Sequence, residues 1–222
     1  PELAKDRMAE RDVVDSIAKR IDNWMGHATI IAGRFGSGKT VALEEALRGM
    51  QGVYVHTVED KDWKKSLYKD LGLDNLGMLK VALRLVRKRN QGSTPIPHPR
   101  IGHSSNNKGR RDVGMDTVST FAKILSSDSS LAHVIVCASS AAMAIAFDAG
   151  GEQRQENYWV EDLTVDEAKE LLALHGHRED WEQFVNACGY RALDLVRTCE
   201  KYKGPATLAA KKEEMEEKAR EE

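Results

Sequence analysis

The chain has 222 residues, 41% of them hydrophobic, which is enough for one medium domain with a small companion and a substantial core. A formal net charge of −2 gives no global electrostatic case for nucleic-acid binding, and no stretch reaches the ~18 consecutive apolar residues of a membrane helix. Three cysteines without paired metal-ligand spacing are typical of reduced thiols, so we expect an intracellular protein, cytoplasmic or nuclear.

A helix, a strand and a second helix are the first predicted elements. Apolar residues at helical spacing predict an amphipathic helix over residues 12–24. Residues 27–32 are apolar and β-branched, like a buried strand, and residues 41–47 favour a helix. Between them, residues 33–40 read Gly-Arg-Phe-Gly-Ser-Gly-Lys-Thr and match the phosphate-binding pattern G-x-x-x-x-G-K-[ST] at every defining position. The strand, loop and helix that this motif requires are therefore all predicted.

The residue types of this loop suit a bound phosphate. Gly33, Gly36 and Gly38 permit backbone angles closed to other residues, so that successive N–H groups can turn inward. Lys39 can reach the β and γ oxygens of a nucleotide, and the Thr40 hydroxyl can ligate Mg²⁺. The predicted nucleotide-binding residues are Gly33, Arg34, Phe35, Gly36, Ser37, Gly38, Lys39, Thr40 and Val41, with Thr40 also the predicted metal ligand.

The next segment predicts a strand over residues 53–57 and a helix over residues 60–71. Asn75 can then cap a long helix with one apolar face. The end of this helix, residues 84–89, is rich in Arg and Lys. This basic cluster either contacts nucleic acid or complements the helix dipole in solvent, and both interpretations stay open.

Residues 91–115 change character, because Gly, Pro, Ser, Asn and Arg dominate. Pro95, Pro97 and Pro99 alternate, and three prolines in five positions argue against a central strand. We therefore expect residues 91–115 to be irregular, with a third strand disrupted there.

An amphipathic helix over residues 116–125 and a buried strand over residues 132–138 follow, the strand ending at Ser139-Ser140. A short Ala-rich helix and a final strand over residues 158–160 complete this part of the chain. Strands that alternate with helices predict an α/β fold in which helices sandwich a parallel sheet.

The remaining chain is predicted to be helical. Thr164 and Glu167 have the spacing of a capping box, so a helix begins there, and two more fit near residues 179–188 and 191–202. His175 and His177 lack a third ligand at metal spacing and are interpreted as loop residues. The expected domains are a P-loop α/β domain over 1–162, a small α-helical lid over 163–204 and a charged helical tail over 205–222. Because the chain starts at Pro1 and ends in a charged run, we suspect a fragment of a longer polypeptide.

Three segments beyond the loop carry a resemblance to a known family. The strand that ends at Ser139 is similar to a sensor-1 strand, residues 160–172 to the start of a lid, and residues 189–197 to a sensor-2 helix. Together with the loop, they resemble the AAA+/STAND branch of P-loop ATPases, particularly its archaeal-type and replication-initiator-like members. The resemblance implies that ATP is the nucleotide, that Ser139 contacts the γ-phosphate or the attacking water, and that Arg191 contacts a phosphate. Lys39, Ser139 and Arg191 are accordingly the predicted catalytic residues, and Arg154 could imitate an arginine finger.

The chain departs from this family at its second acidic motif (Walker B). In the family a third strand ends in an acidic pair that holds Mg²⁺ through water and polarises the attacking water. By order along the chain the pair would fall near residues 94–103, where no acidic residue occurs. One hypothesis is a reading-frame disruption after Ile96, since a shifted frame can encode an apolar strand with acids. Substitutes elsewhere in the chain are Glu59, Asp60, Asp112 and Asp116.

The leading functional prediction is an ATP-binding P-loop NTPase module that hydrolyses ATP with Mg²⁺ and couples hydrolysis to conformational change. The alternative is a non-hydrolysing nucleotide switch, or a decayed ATPase that acts in protein interaction. A small-molecule kinase ranks third, because the lid is rich in Asp and Glu. Protein partners, a homo-oligomer and nucleic acid stay open as partners, and no membrane is expected.

Overall fold

The structure is a computed structural model that describes residues 11–58, 61–89, 99–102, 115–128, 130–138, 155–202, 209–210 and 213. Two compact units make up the chain: a sheet unit (Val13–Phe35 and Lys39–Val160) and a helical unit (Pro1–Asp12, Gly36–Gly38 and Glu161–Glu222). The helices are α1 (Asp12–Asp22), α2 (Lys39–Ala46), α3 (Trp63–Asp70), α4 (Leu76–Arg89), α5 (Met115–Lys123), α6 (Val165–Leu174), α7 (Trp181–Cys188) and α8 (Ala192–Lys201). The strands are β1 (Ala28–Gly33), β2 (Tyr54–Thr57), β3 (Pro99–Gly102), β4 (Ile135–Ala138) and β5 (Gln155–Val160).

The five strands form one sheet in the order β2-β3-β4-β1-β5, and every neighbouring pair is parallel. In β1, Thr29 pairs with Ile135 of β4 on one side and with Glu156 of β5 on the other. All six residues of β1 are buried, as expected for a parallel strand covered on both faces. The predicted parallel α/β fold is therefore confirmed.

Successive residues of β1 enter different hydrophobic cores. Ile30 packs with residues of α3, α4 and α5, among them Trp63 and Phe121, whose rings meet edge to face at 5.1 Å. Ile31 packs with residues of α1 and α2, such as Ile17 and Leu43. Because neighbouring side chains of a strand point to opposite faces, helices cover both faces of the sheet.

The expectation that proline excludes a central strand is wrong at residues 99–102. This segment forms β3, which lies between β2 and β4, with Pro99 paired to Tyr54 and Gly102 paired to Cys137. Pro99 is the first residue of the strand, a position at which proline is tolerated within a sheet. Pro95 and Pro97 lie outside the described residues.

Helix α5 continues into one π-helical turn, Ile124–Asp128, before the chain enters β4. The buried Ser126 hydroxyl donates to the Ala132 carbonyl at 3.0 Å and accepts from the Val134 N–H at 2.9 Å. Strand β4 begins at Ile135, three residues later than predicted, because Ser126 rather than a strand partner takes the Val134 N–H.

The helical unit has its own core, in which α6, α7 and α8 pack around Leu172, Phe184 and Leu195. The predicted capping box is present: the Thr164 hydroxyl accepts from the Glu167 N–H, and the Glu167 carboxylate accepts from the Thr164 N–H. His177 lies in the α6–α7 connection, as expected, but it is buried with its ring 4.1 Å from that of Phe184.

Several predicted features lie outside the described residues. They are Ser139, the alternative acids Glu59, Asp60 and Asp112, Arg154, the short Ala-rich helix, and most of the ranges 91–115 and 205–222. Within the described ranges, no helix is long and apolar enough to span a membrane.

Candidate phosphate-binding site

The phosphate-loop motif connects the carboxyl end of β1 to the first residue of α2. Strand β1 ends at Gly33, and helix α2 begins at Lys39. Ligands of parallel α/β sheets bind outside the carboxyl ends of the strands, and the N-terminus of a helix favours an anion. The loop therefore has the local context that its sequence pattern requires.

The Lys39 side chain is 6% exposed and turns back toward the end of β1. Its Nζ donates to the carbonyl oxygens of Gly33 at 2.8 Å and Arg34 at 2.7 Å. These two bonds hold the ammonium group at the end of β1, and an ammonium group forms strong, charge-assisted hydrogen bonds to phosphate oxygens.

Gly36 and Gly38 have φ angles of +84° and +89°, a region that other residues enter at a cost. A Cβ on Gly36 would lie 2.9 Å from Leu193 Cβ and 3.1 Å from Arg191 Cδ. A Cβ on Gly38 would lie 2.9 Å from Arg11 Nη1. The backbone conformation therefore favours glycine at both positions, and at Gly36 the Leu193 Cβ, which is fixed to the backbone, adds a steric requirement.

Two successive carbonyl groups of the loop are bound within the helical unit. The Gly36 oxygen accepts from the Leu193 N–H at 3.0 Å, and the Ser37 oxygen accepts from Arg11 Nη1 at 2.8 Å. In a trans peptide the N–H points opposite to the C=O, so the N–H groups of Ser37 and Gly38 face away from Leu193 and Arg11. Successive N–H groups in such a turn form an anion-binding nest.

The Ser37 side chain is fully buried, and its hydroxyl has no hydrogen-bond partner. An unsatisfied buried hydroxyl is costly, and a bound phosphate would offer it an acceptor. The residues present therefore fit a phosphate group. Thr40, the predicted metal ligand, is exposed in the first turn of α2.

Arg191 is the N-cap residue of α8, and its side chain packs beside Gly36. Its Nη1 lies 3.3 Å from Asp194 Oδ2, while its Nε is buried and makes no hydrogen bond. The structure thus brings Arg191 to the loop segment of the helical unit. Its contact with a phosphate stays a prediction.

The remaining predicted binding residues take other positions. Arg34 and Phe35 are exposed, although the Arg34 carbonyl holds Lys39, and Val41 is half-buried in α2. Asp116 is the second residue of α5. In the part of the chain that the structure describes, no group of three or more His, Cys, Asp or Glu side chains could hold a metal ion.

No acidic residue lies in the sequence directly after β3, whose last residue, Gly102, is paired to Cys137 of β4. The sequence contains neither Asp nor Glu from Asn75 to Arg111. The strand end at which an acidic pair was expected therefore has no carboxylate within the adjoining sequence.

Arg11 is a site residue that the sequence patterns did not predict. Its guanidinium donates to Ser37 O, approaches Glu167 Oε1 at 3.1 Å and donates to Glu161 O at 3.3 Å. One signal was available, because Arg11 immediately precedes α1 and a cation opposes the dipole at a helix N-terminus. A cation in that position indicates a partner elsewhere.

The chain is similar in fold to the Walker-type ATPase PABY2304 of Pyrococcus abyssi. The two superimpose with a TM-score of 0.58 at 11% sequence identity, over 100% of this chain and 78% of that chain. No family model and no curated protein sequence matches the chain. At this identity the likeness concerns the fold alone, and the chain has the parallel α/β fold of a P-loop ATPase.

Proposed function

We propose that the chain is an ATP-binding P-loop NTPase module that hydrolyses ATP in the presence of Mg²⁺ and couples hydrolysis to conformational change. The observation that carries the proposal is the loop itself. Lys39 Nζ is held by two loop carbonyls, Gly36 and Gly38 have positive φ angles, and the buried Ser37 hydroxyl has no partner. A loop with these properties is pre-organised for phosphate.

The roles of the chain's own residues follow from their chemistry. Phosphate oxygens accept hydrogen bonds from the N–H groups of Ser37 and Gly38 and from the N-terminus of α2. The Lys39 ammonium group neutralises negative charge on the β- and γ-phosphate oxygens. Thr40 would hold Mg²⁺ through its hydroxyl. When bound, the metal neutralises charge on the transferred phosphoryl group.

We further propose that the module belongs to the AAA+/STAND branch and that Arg191 contacts a phosphate. The capped start of α6 and the packing of Arg191 beside Gly36 support this. An Arg191→Ala variant should lose phosphate release more than ATP affinity, because charge builds on the transferred group in the transition state. Equal losses in both quantities would argue for a binding role alone.

The second candidate function is a non-hydrolysing nucleotide switch or a decayed ATPase that acts in protein interaction. The absence of acidic residues from Asn75 to Arg111 favours it, since the second motif is degenerate in this proposal. Loss of that acid should remove turnover and leave binding by Lys39 and the loop.

Calorimetric titration of Mg²⁺-ATP into the chain, with phosphate release followed on the same sample, separates these candidates. We expect Lys39→Met to abolish binding while it keeps the buried aliphatic volume, and Lys65→Ala, an exposed lysine on α3, to bind like the wild type. Binding with turnover supports the ATPase, and binding without turnover supports the switch. If the wild type fails to bind, both proposals are wrong.

Localisation and partners are also proposals. An intracellular location is supported by the three cysteines, Cys137, Cys188 and Cys199, none of which forms a disulfide. We propose that binding of a protein partner, or self-association of the chain, depends on which nucleotide is bound. Nucleic-acid binding by the cations of α4 predicts a steep salt dependence, and no binding to DNA at low salt would exclude it.

A further inference from the structure

We infer that Arg11 is a positioning residue of the phosphate-binding loop, which holds the Ser37 carbonyl outward so that the Gly38 N–H faces a bound phosphate. This inference rests on the proposed function, because it assigns a role at the same site. Arg11 does not touch the nucleotide in this scheme. It acts through the backbone of the loop.

The need for such a residue comes from the glycines. Gly36 and Gly38 flank Ser37, and glycine populates positive and negative φ about equally. The peptide planes between them can therefore rotate at little cost unless an outside group fixes them. A loop that must present N–H groups to an anion needs its carbonyl groups held on the opposite side.

The helical unit supplies one donor for each of the two peptides. The Leu193 N–H holds the Gly36 oxygen at 3.0 Å, and Arg11 Nη1 holds the Ser37 oxygen at 2.8 Å. The first donor is a backbone group and does not depend on residue type. The second donor is the Arg11 side chain, so a substitution of Arg11 removes the hydrogen bond to the Ser37 oxygen.

Arg11 is itself held in place. Its side chain is 11% exposed, and its Nε lies 3.1 Å from Oε1 of Glu167, which is 14% exposed. The other oxygen of the same carboxylate, Oε2, accepts from the Thr164 N–H at 2.8 Å. Glu167 thus uses one carboxylate oxygen to cap α6 and the other to align Arg11. Rotation of the Glu167 carboxylate would break both hydrogen bonds.

The geometry requires arginine rather than a cation in general. Arg11 reaches three acceptors with three different nitrogens: Nε for Glu167, Nη1 for Ser37 and Nη2 for Glu161. A guanidinium group presents these donors in a fixed planar fork, whereas a lysine ammonium is one point on a flexible stem. Arg11→Lys should therefore keep the charge and lose the alignment.

The test uses the full chain and Mg²⁺-ATP as the probe. We expect Arg11→Ala to raise the Kd for Mg²⁺-ATP at least about tenfold, and Arg11→Lys to recover only a minor part of the loss. Arg20→Ala is the matched control, because it removes a partly buried arginine whose Nε lies 2.8 Å from Glu156 Oε1. That variant should bind Mg²⁺-ATP like the wild type even where its unfolding midpoint falls.

A second readout does not depend on nucleotide. In the ligand-free chain, Arg11→Ala should change the NMR chemical shift of the Gly38 amide and speed its hydrogen exchange, because the adjoining carbonyl is released. Glu167→Gln keeps an acceptor for Thr164 and loses the charge beside Arg11, so it should produce a smaller change of the same kind. Combining both substitutions should add little to Arg11→Ala.

The inference is overturned if Arg11→Ala binds Mg²⁺-ATP within twofold of the wild type, or if Arg11→Lys restores full affinity. It is also overturned if the Gly38 amide is unchanged in Arg11→Ala. Failure of the wild type to bind Mg²⁺-ATP would refute the proposed function instead, and the Gly38 amide would still decide whether Arg11 holds the loop.

Discussion

Gly36→Ala is the substitution for which the structure predicts the largest local effect in the loop. A residue with a Cβ is disfavoured at φ +84°, at a cost of roughly 1–2 kcal/mol. The new methyl group would also lie 2.9 Å from Leu193 Cβ, which is shorter than a normal van der Waals contact between non-bonded carbon atoms. Relief of such a contact in a packed region costs about 1–3 kcal/mol, so we expect a total loss of roughly 2–5 kcal/mol in the free energy of unfolding.

Gly176→Ala separates the two contributions. Gly176 also belongs to the helical unit and has a φ of +87°, but a Cβ there would meet nothing within 4 Å. Its replacement should therefore cost only the conformational part, about 1–2 kcal/mol. Urea unfolding of the two variants measures the difference, which we expect to be about 1–3 kcal/mol. Equal losses would refute the assignment of Leu193 as a tight neighbour of the loop.

Three further outcomes are expected. Thr164→Ala should lower the free energy of unfolding by about 1 kcal/mol, because α6 loses its cap, while Thr164→Ser should stay near the wild type; no difference between the two would contradict the cap. Ser126→Ala should cost about 2 kcal/mol in urea unfolding, because the buried Val134 N–H loses its acceptor, and a loss below about 0.5 kcal/mol would show that another group replaces it. Burial raises the pKa of the Cys199 thiol to about 12, so iodoacetamide should label it at pH 8 far more slowly in the folded chain than in urea. The thiol of unfolded Cys199 ionises with a pKa of about 8.5, so the contribution of Cys199 to the free energy of unfolding is present below that pH and is lost as the pH rises toward about 12. Labelling of Cys199 at equal rates in the folded chain and in urea would contradict its burial.

Local features of the fold were predictable from the sequence. The strand, loop and helix around Lys39 follow from a contiguous pattern, and so does the capping box at Thr164. Asn75 caps α4 as predicted, with its Oδ1 accepting from the Met78 N–H at 3.1 Å. Each of these features depends on residues within one turn of each other, which is why sequence spacing is sufficient.

Features that depend on distant residues were not predictable in the same way. Strand β3 forms although it starts at Pro99, because β2 and β4 supply its partners and the missing N–H falls at the strand's first position. Arg11 contacts a residue 26 positions away, Ser37, and another 156 positions away, Glu167. No local pattern contains such pairs, so only the charge opposing the α1 dipole could have drawn attention to Arg11.

The position of β1 in the sheet has a consequence for the order in which the chain folds during synthesis. Its partner strands come late in the chain: Thr29 pairs with Ile135 of β4 and with Glu156 of β5, both of which are synthesised long after β1. Pairings at such separations form slowly, because the loop-closure entropy is lost before any contact is made. During synthesis on the ribosome, β1 therefore cannot pair until β4 and β5 have been made. The phosphate-binding loop accordingly acquires its shape only after most of the chain has been synthesised.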